Sequence, residues 1–356
     1  MKNNNFSENT TLKEKEDSRL EASFNSLKQL LEDNKDTEFG KKHNFSEIKS
    51  FGDYKKQVPL TEYKDYQGDI ERMRKGEKNI LTVYPIVNYN RSSGTTGNPK
   101  LIPISIKSLK AMHPIAIKKR EFMLNKEEKV RALFIGALNI GLNEKSDNIS
   151  YMSVTSYYNS FKYKLVDFNI YSDIKIMFDP DTFDYLYEKV WVAFLDEDIT
   201  LIKSVYRYSI LQFFNYIEEH YKEIISDIRN HRVDPEKYIS EEAKNYLLNL
   251  KFSEERLNFI EKECEKGFKG IGQRLWKNLR IISGISSKSL KSQNEALDFF
   301  LGNVKKDSYY FSLSEGLIGA SLEYDTFTYQ IEPSLGIFEL LPIVKIKKMK
   351  KKKMKK

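Results

Sequence analysis

The chain has 356 residues, 40% of them apolar and 13% aromatic, enough to bury a substantial core and too many for a disordered polymer. The formal charge of +8 is concentrated at one end. Taking away the nine lysines of KIKKMKKKKMKK at 345–356 leaves −1, so the body is not a nucleic-acid binder by charge.

A single cysteine, Cys264, excludes an internal disulfide framework and a cysteine-based zinc site. The four histidines, His43, His113, His220 and His231, have no metal-ligand spacing.

Residues 1–17 are polar and are expected to form a disordered lead-in rather than a signal peptide. From Ser18 the spacing of Leu20, Phe24, Leu27 and Leu31 predicts a helix with one apolar face, closed by the turn residues between Asn34 and Gly40. Leu81 to Val87 is an apolar, β-rich run interrupted by Pro85, and Leu101 to Ile106 is apolar again. Residues 131–137 and 279–283 read as buried strands. A long helix is predicted over 204–226, with Ile210, Phe213, Phe214, Ile217, Ile224 and Ile225 in its apolar stripe. A second helix, over 253–266, starts on Ser253 with Glu254 and Glu255 in its first turn, and carries Cys264 in a charged setting where no reactivity is expected.

Strands separated by amphipathic helices predict an α/β fold, helices packed on buried β-sheets, in one large domain over 18–343. The lysine-rich 344–356 is expected to be a disordered tail. No run approaches the ~18–20 apolar residues that span a bilayer, so a cytoplasmic protein without stable membrane association is expected.

Between the apolar segments lies Arg91-Ser-Ser-Gly-Thr-Thr-Gly-Asn-Pro-Lys100. Ser92, Ser93, Gly94, Thr95, Thr96 and Gly97 make a poor helix and a poor strand but a good phosphate cradle. The glycines let backbone N–H groups approach an anion, and the hydroxyls donate further bonds. Lys100 can add positive charge near a polyphosphate. A Walker A loop is excluded, because Lys100 follows Pro99 and precedes Leu101. Taken alone, such a stretch also occurs as a plain surface turn. There is no GxSxG nucleophile motif.

SSGTTGNPK resembles the signature loop of adenylate-forming enzymes. The segments NKDTEFGKKHNF, VPLTEYKDY and IERMRKGEKNILTVYPI before it, and FLDEDITLIKSVYRYSILQFFNYIEEH, LWKNLRIISGIS and YYFSLSEGLIG after it, resemble the acyl-acid amido synthetases of the auxin-responsive GH-three family, over about residues 25 to 342. The resemblance implies the large N-terminal domain of an adenylate-forming enzyme. Such an enzyme would activate a small-molecule carboxylic acid with ATP and pass it to an amino acid, acting as a monomer. It implies that Ser92 to Gly97 bind the β- and γ-phosphates of ATP. It also implies that Ser314 and Glu315, in a YxxSE-like motif, serve catalysis, the carboxylate of Glu315 helping to hold Mg²⁺. Phe311 stands where the family usually has Tyr, keeping a ring for adenine and losing the hydroxyl. Gly284 would sit near the nucleotide or the acyl group, where a side chain would obstruct approach.

The family's third motif, Y-R-x-G-D, and its small C-terminal domain find no counterpart before the lysines. The C-terminal domain is therefore expected to be missing, activity to be impaired, and the tail to derive from a shifted reading frame. A polybasic membrane anchor is the alternative for the tail. A non-catalytic nucleotide or acyl-acid binding protein is the alternative for the domain. The acid pocket is sought among Tyr151, Tyr157 and Tyr158, where plain packing is the competing account.

Overall fold

In the computed structural model, which describes residues 12–92, 100–123, 130–136, 182–336 and 338, the chain folds as two units, Met1–Pro85 with Glu332–Lys356, and Ile86–Ile331. The first unit opens with α1, Leu12–Asn34, six residues upstream of the predicted start. Leu27 and Leu31 are buried there with Phe45 and Ile48, and Phe24 packs beside them. Leu20 stays 58% exposed, so the apolar stripe is used only over its second half. Helices α2, Glu38–Lys42, and α3, Phe51–Gln57, are capped by the hydroxyls of Thr37 and Ser50. Helix α4 follows over Gln67–Arg74. The Ser23 and Ser26 hydroxyls donate to the carbonyls of Pro333 and Ser334 at 3.0 and 2.8 Å, which ties the segment after Glu332 onto α1.

The second unit begins with an antiparallel pair, β1 over Ile86–Arg91 and β2 over Leu101–Ser105. The apolar run before Pro85 does not join the strand. Proline lacks the N–H that a ladder needs, and β1 starts on the residue after it. Helices α5, Ile106–Ala111, and α6, His113–Met123, follow.

The rest alternates: β3 Ala132–Phe134, α7 Tyr185–Leu195, β4 Leu201–Tyr206 and α8 Arg207–Arg229. Next come α9 Glu241–Asn249, α10 Glu254–Glu265, α11 Ile271–Leu275 and β5 Ile281–Ile285. Helix α12, Lys291–Leu301, leads to β6, Lys305–Asp307. Strands β3, β4, β5 and β6 form one parallel sheet in that order. A final antiparallel sheet holds β7 Tyr310–Leu313, β8 Gly316–Ala320 and β9 Gln330–Ile331.

The α8 stripe supplies the core of this unit, with Ile210, Phe213, Phe214, Ile217, Ile224 and Ile225 all buried. Phe214 stacks on Phe300 at 5.6 Å, and both Phe213 and Phe214 lie against Trp276. The Trp276 indole N–H donates to the carbonyls of Ala193 and Asp196, so a large apolar ring is buried without an unmet donor. Among the described residues no helix is long and apolar enough to cross a membrane.

Candidate functional site

In parallel sheets flanked by helices, ligands bind beyond the carboxyl ends of the strands. Here those ends are Phe134, Tyr206, Ile285 and Asp307, and the chain passes directly from Asp307 into the β7–β8 hairpin. Leu313 pairs with Gly316, so Ser314 and Glu315 form the hairpin's turn. A methionine side chain explains why glycine follows. A Cβ on Gly316 would come within 2.3 Å of Met112 Cε, and its φ of +150° lies in the region that glycine tolerates.

The β1–β2 pair presents the hydroxyl-rich loop. Its ladder runs to Arg91 and Leu101 and is extended by two further bonds. Ser92 N–H donates to the Lys100 carbonyl at 3.0 Å, and Lys100 N–H donates to Ser92 Oγ at 2.9 Å. Ser92 and Lys100 are thus held together at the end of the ladder. Ser93, Gly94, Thr95, Thr96 and Gly97 themselves lie outside the described residues, as do Tyr151, Tyr157 and Tyr158.

One hydrogen bond brings the two elements together. The side-chain amide of Asn90, two residues before Ser92, donates to the Ser314 carbonyl at 2.8 Å. Asn88 donates to Asn90 Oδ1 at 2.5 Å, and both amides are buried. Buried side-chain amides need partners, and here the partner is the turn that carries Glu315. Glu315 is exposed and forms no hydrogen bond or ion pair with any described residue. Phe311 lies one strand-length back, 42% exposed, with its ring 5.6 Å from that of Tyr329.

The hairpin is fastened to the sheet by a buried polar cluster that the sequence did not single out. Asp307, fully buried, accepts from Ser283 Oγ at 2.5 Å and from the Lys119 ammonium, which also donates to the Ser321 carbonyl just after β8. Burial pushes the Lys119 pKa down, and the Asp307 charge works against that shift.

Gly284 sits inside β5, where a Cβ would stand 2.9 Å from Arg207 N and 3.1 Å from Tyr206 C. The need for glycine comes from the close backbone approach of the β4–α8 turn, a different reason from clearance for a ligand. Arg207 was also missed. It is a buried cation whose guanidinium donates to Asn294 Oδ1 at 3.3 Å and to Ser308 Oγ at 3.2 Å. Its only sequence signal is a charge set at the head of an otherwise apolar stripe.

A divalent ion suits this turn. Mg²⁺ on a nucleotide takes most of its oxygens from phosphate and water, and needs one or two carboxylates. Glu315 offers one that is exposed and uncommitted. No cluster of three or more metal-ligating side chains occurs among the described residues.

A family profile described as the GH3 family N-terminal domain matches residues 13–306. The chain is 25% identical over 337 residues to a jasmonoyl–L-amino acid synthetase, GH3.5, of Oryza sativa subsp. japonica, covering 90% of this chain and 58% of the relative. It is 24% identical to the indole-3-acetic acid-amido synthetase GH3.17 of Arabidopsis thaliana, covering 89% and 55%. Among solved structures, a GH3.15 acyl acid amido synthetase superposes with a TM-score of 0.76 at 22% identity, over 88% of this chain and 58% of that one. The fold is therefore shared. The chain spans less than two thirds of the length of these relatives.

Proposed function

The chain belongs to the GH3 family, and from that premise we propose that it binds ATP at the β1–β2 loop and activates a carboxylic acid as an acyl-adenylate for amide formation with an amino acid. The observation that carries this reading is the Asn90–Ser314 hydrogen bond, which sets the neck of the hydroxyl-rich loop beside the turn bearing Glu315.

In this reading the N–H and hydroxyl groups of Ser92 to Gly97 wrap the β- and γ-phosphates, with Lys100 adding charge at the neck. Glu315 would hold Mg²⁺, which when bound would supply positive charge against the polyphosphate. A carboxylate is a weak nucleophile, and it attacks the α-phosphorus only if the departing pyrophosphate is stabilised. The protein's contribution is positioning and preorganised donors rather than a covalent nucleophile. Phe311 offers a partly exposed ring for the adenine. Ser314 acts through its backbone, its carbonyl accepting from Asn90 and so orienting the turn.

ATP titration with and without Mg²⁺, followed by pyrophosphate release over a panel of carboxylic acids, tests the proposal. Glu315→Gln is expected to weaken binding of ATP with Mg²⁺ about ten-fold, or ~1.4 kcal/mol, and to leave Mg²⁺-free binding unchanged. An equal loss in both conditions removes Glu315 from the metal. ATP binding without pyrophosphate release from any acid would reduce the domain to a nucleotide-binding module.

A further inference from the structure

A cavity of about 240 Å³ opens at the carboxyl ends of β4 and β5, between the first turn of α8 and the start of α12. Tyr206, Arg207, Ser209, Ser286, Gln293 and Asn294 are among its lining residues. None of the described residues that line it is acidic, and Arg207 is the charged group among them.

Arg207 is only 5% exposed. Its partners are neutral oxygens at 3.3 and 3.2 Å, the long end of the hydrogen-bond range, and its Nε has no partner at all. No carboxylate among the described residues forms an ion pair with it. Lys119, equally buried, shows the usual arrangement, with a carboxylate set directly on the ammonium. For Arg207, Asp307, Asp325 and Asp298 oppose the cost of burial without pairing with it directly, and the guanidinium lies over the Phe327 ring at 5.5 Å. A desolvated guanidinium with no carboxylate set directly on it is costly. At the head of α8 the charge is reinforced, because the 23-residue helix has no side-chain cap and turns its N–H groups and positive dipole end toward the same turn. The residues that line the cavity supply no anionic group to pair with the guanidinium.

An anionic group received there is distinct from the carboxylate to be activated. No residue of β1, β2 or the Ser314–Glu315 turn lines the cavity. Arg207 is bonded to Ser308, before β7, whereas Glu315 lies after it, a separation on the order of 15 Å at the rise of an extended strand. An acid whose reacting end lies with the phosphates has its far end free to reach Arg207.

We propose that the acid taken by this chain carries a second anionic group, as in a straight-chain dicarboxylate, and that Arg207 is the specificity-determining residue that receives it. The proposal rests on the acid-activating reading above.

Calorimetric titration of the full chain compares straight-chain dicarboxylates, from succinate to sebacate, with monocarboxylates of the same chain length. One dicarboxylate is expected to bind about ten-fold or more tighter than its monocarboxylate counterpart. In Arg207→Met that ratio falls to about one, while ATP affinity is unchanged. Asn294→Asp sets a carboxylate on the guanidinium from within. It is expected to raise the Tm and abolish the same preference, which keeps the question answerable if the Met variant does not fold. Equal binding of both acid classes by the parent chain overturns the assignment, as does a preference that survives the substitutions. The nucleotide reading is decided separately. A chain that prefers dicarboxylates yet binds no ATP loses that reading and keeps the cavity, and one that activates acids without preference does the reverse.

Discussion

The two ends of the parallel sheet each carry a cavity, and they differ in a way that volume does not reveal. The one at the amino ends of β4 and β5 is larger, about 440 Å³, and is lined by Glu197, Asp198 and Glu255 as well as Arg256 and Lys277. The one at the carboxyl ends is about 240 Å³ and holds Arg207 with no acid. Both arginines are buried, both have a nitrogen without a hydrogen-bond partner, and burial lowers the pKa of both. For Arg256 the opposing charges are Glu197, which lines that cavity, and Asp196, and its Nε donates to the Phe194 carbonyl at 3.1 Å. For Arg207 they are Asp307, Asp325 and Asp298, none of which lines the smaller cavity. The larger hollow is balanced by its own wall. The smaller one has its balancing acids outside its lining, and that difference marks it as a place for a ligand.

Three experiments break or sharpen this contrast. The largest effect is expected from Lys119→Met, which strips the counter-charge from fully buried Asp307 near the smaller cavity. Breaking a buried pair on one side costs ~3–5 kcal/mol, so urea unfolding should show a loss of that order. A loss below ~1 kcal/mol would mean that compensation matters little here, and the contrast between Lys119 and Arg207 would lose its force. Gly284→Ala is next. Its methyl meets backbone atoms of Tyr206 and Arg207, which cannot rotate away. A cost of ~1–3 kcal/mol is expected, together with weaker discrimination between acids as the Arg207 turn is displaced. Unchanged discrimination at lowered stability would separate the turn's packing from its binding role.

The smallest effect concerns Cys264 on α10, the helix that also walls the larger cavity. Burial pushes its thiol up to about 12, so a thiol reagent at neutral pH should label the folded chain negligibly and the urea-unfolded chain fully. The sign for stability follows. The folded thiol holds its proton to higher pH than the unfolded one, so this group's contribution is intact below pH 9.0 and declines toward about 12. Ready labelling in the native state would show that α10 opens, and with it the wall that holds Arg256.

Much of the architecture was readable beforehand. The α8 stripe predicted a helix over 204–226, and it is found at Arg207–Arg229. The Ser253 cap also holds, its hydroxyl accepting from Arg256 N–H. Boundaries were less legible. The predicted strand at 279–283 is displaced to Ile281–Ile285, and α1 starts upstream of its apolar spacing. Strand ends depend on which neighbour offers a ladder, and no local pattern encodes that.

Residue order alone determined which segments are helical, which strands are apolar enough to be covered, and where a hydroxyl- and glycine-rich loop interrupts them. These are properties of periodicity and backbone freedom, and they act over a few residues. The tertiary structure decided that Asn90 reaches Ser314 across 224 positions of chain, that Lys119 pairs with Asp307, and that Arg207 feels Asp307 without pairing with it. Charge compensation depends on distance in space, and only the fold sets that distance.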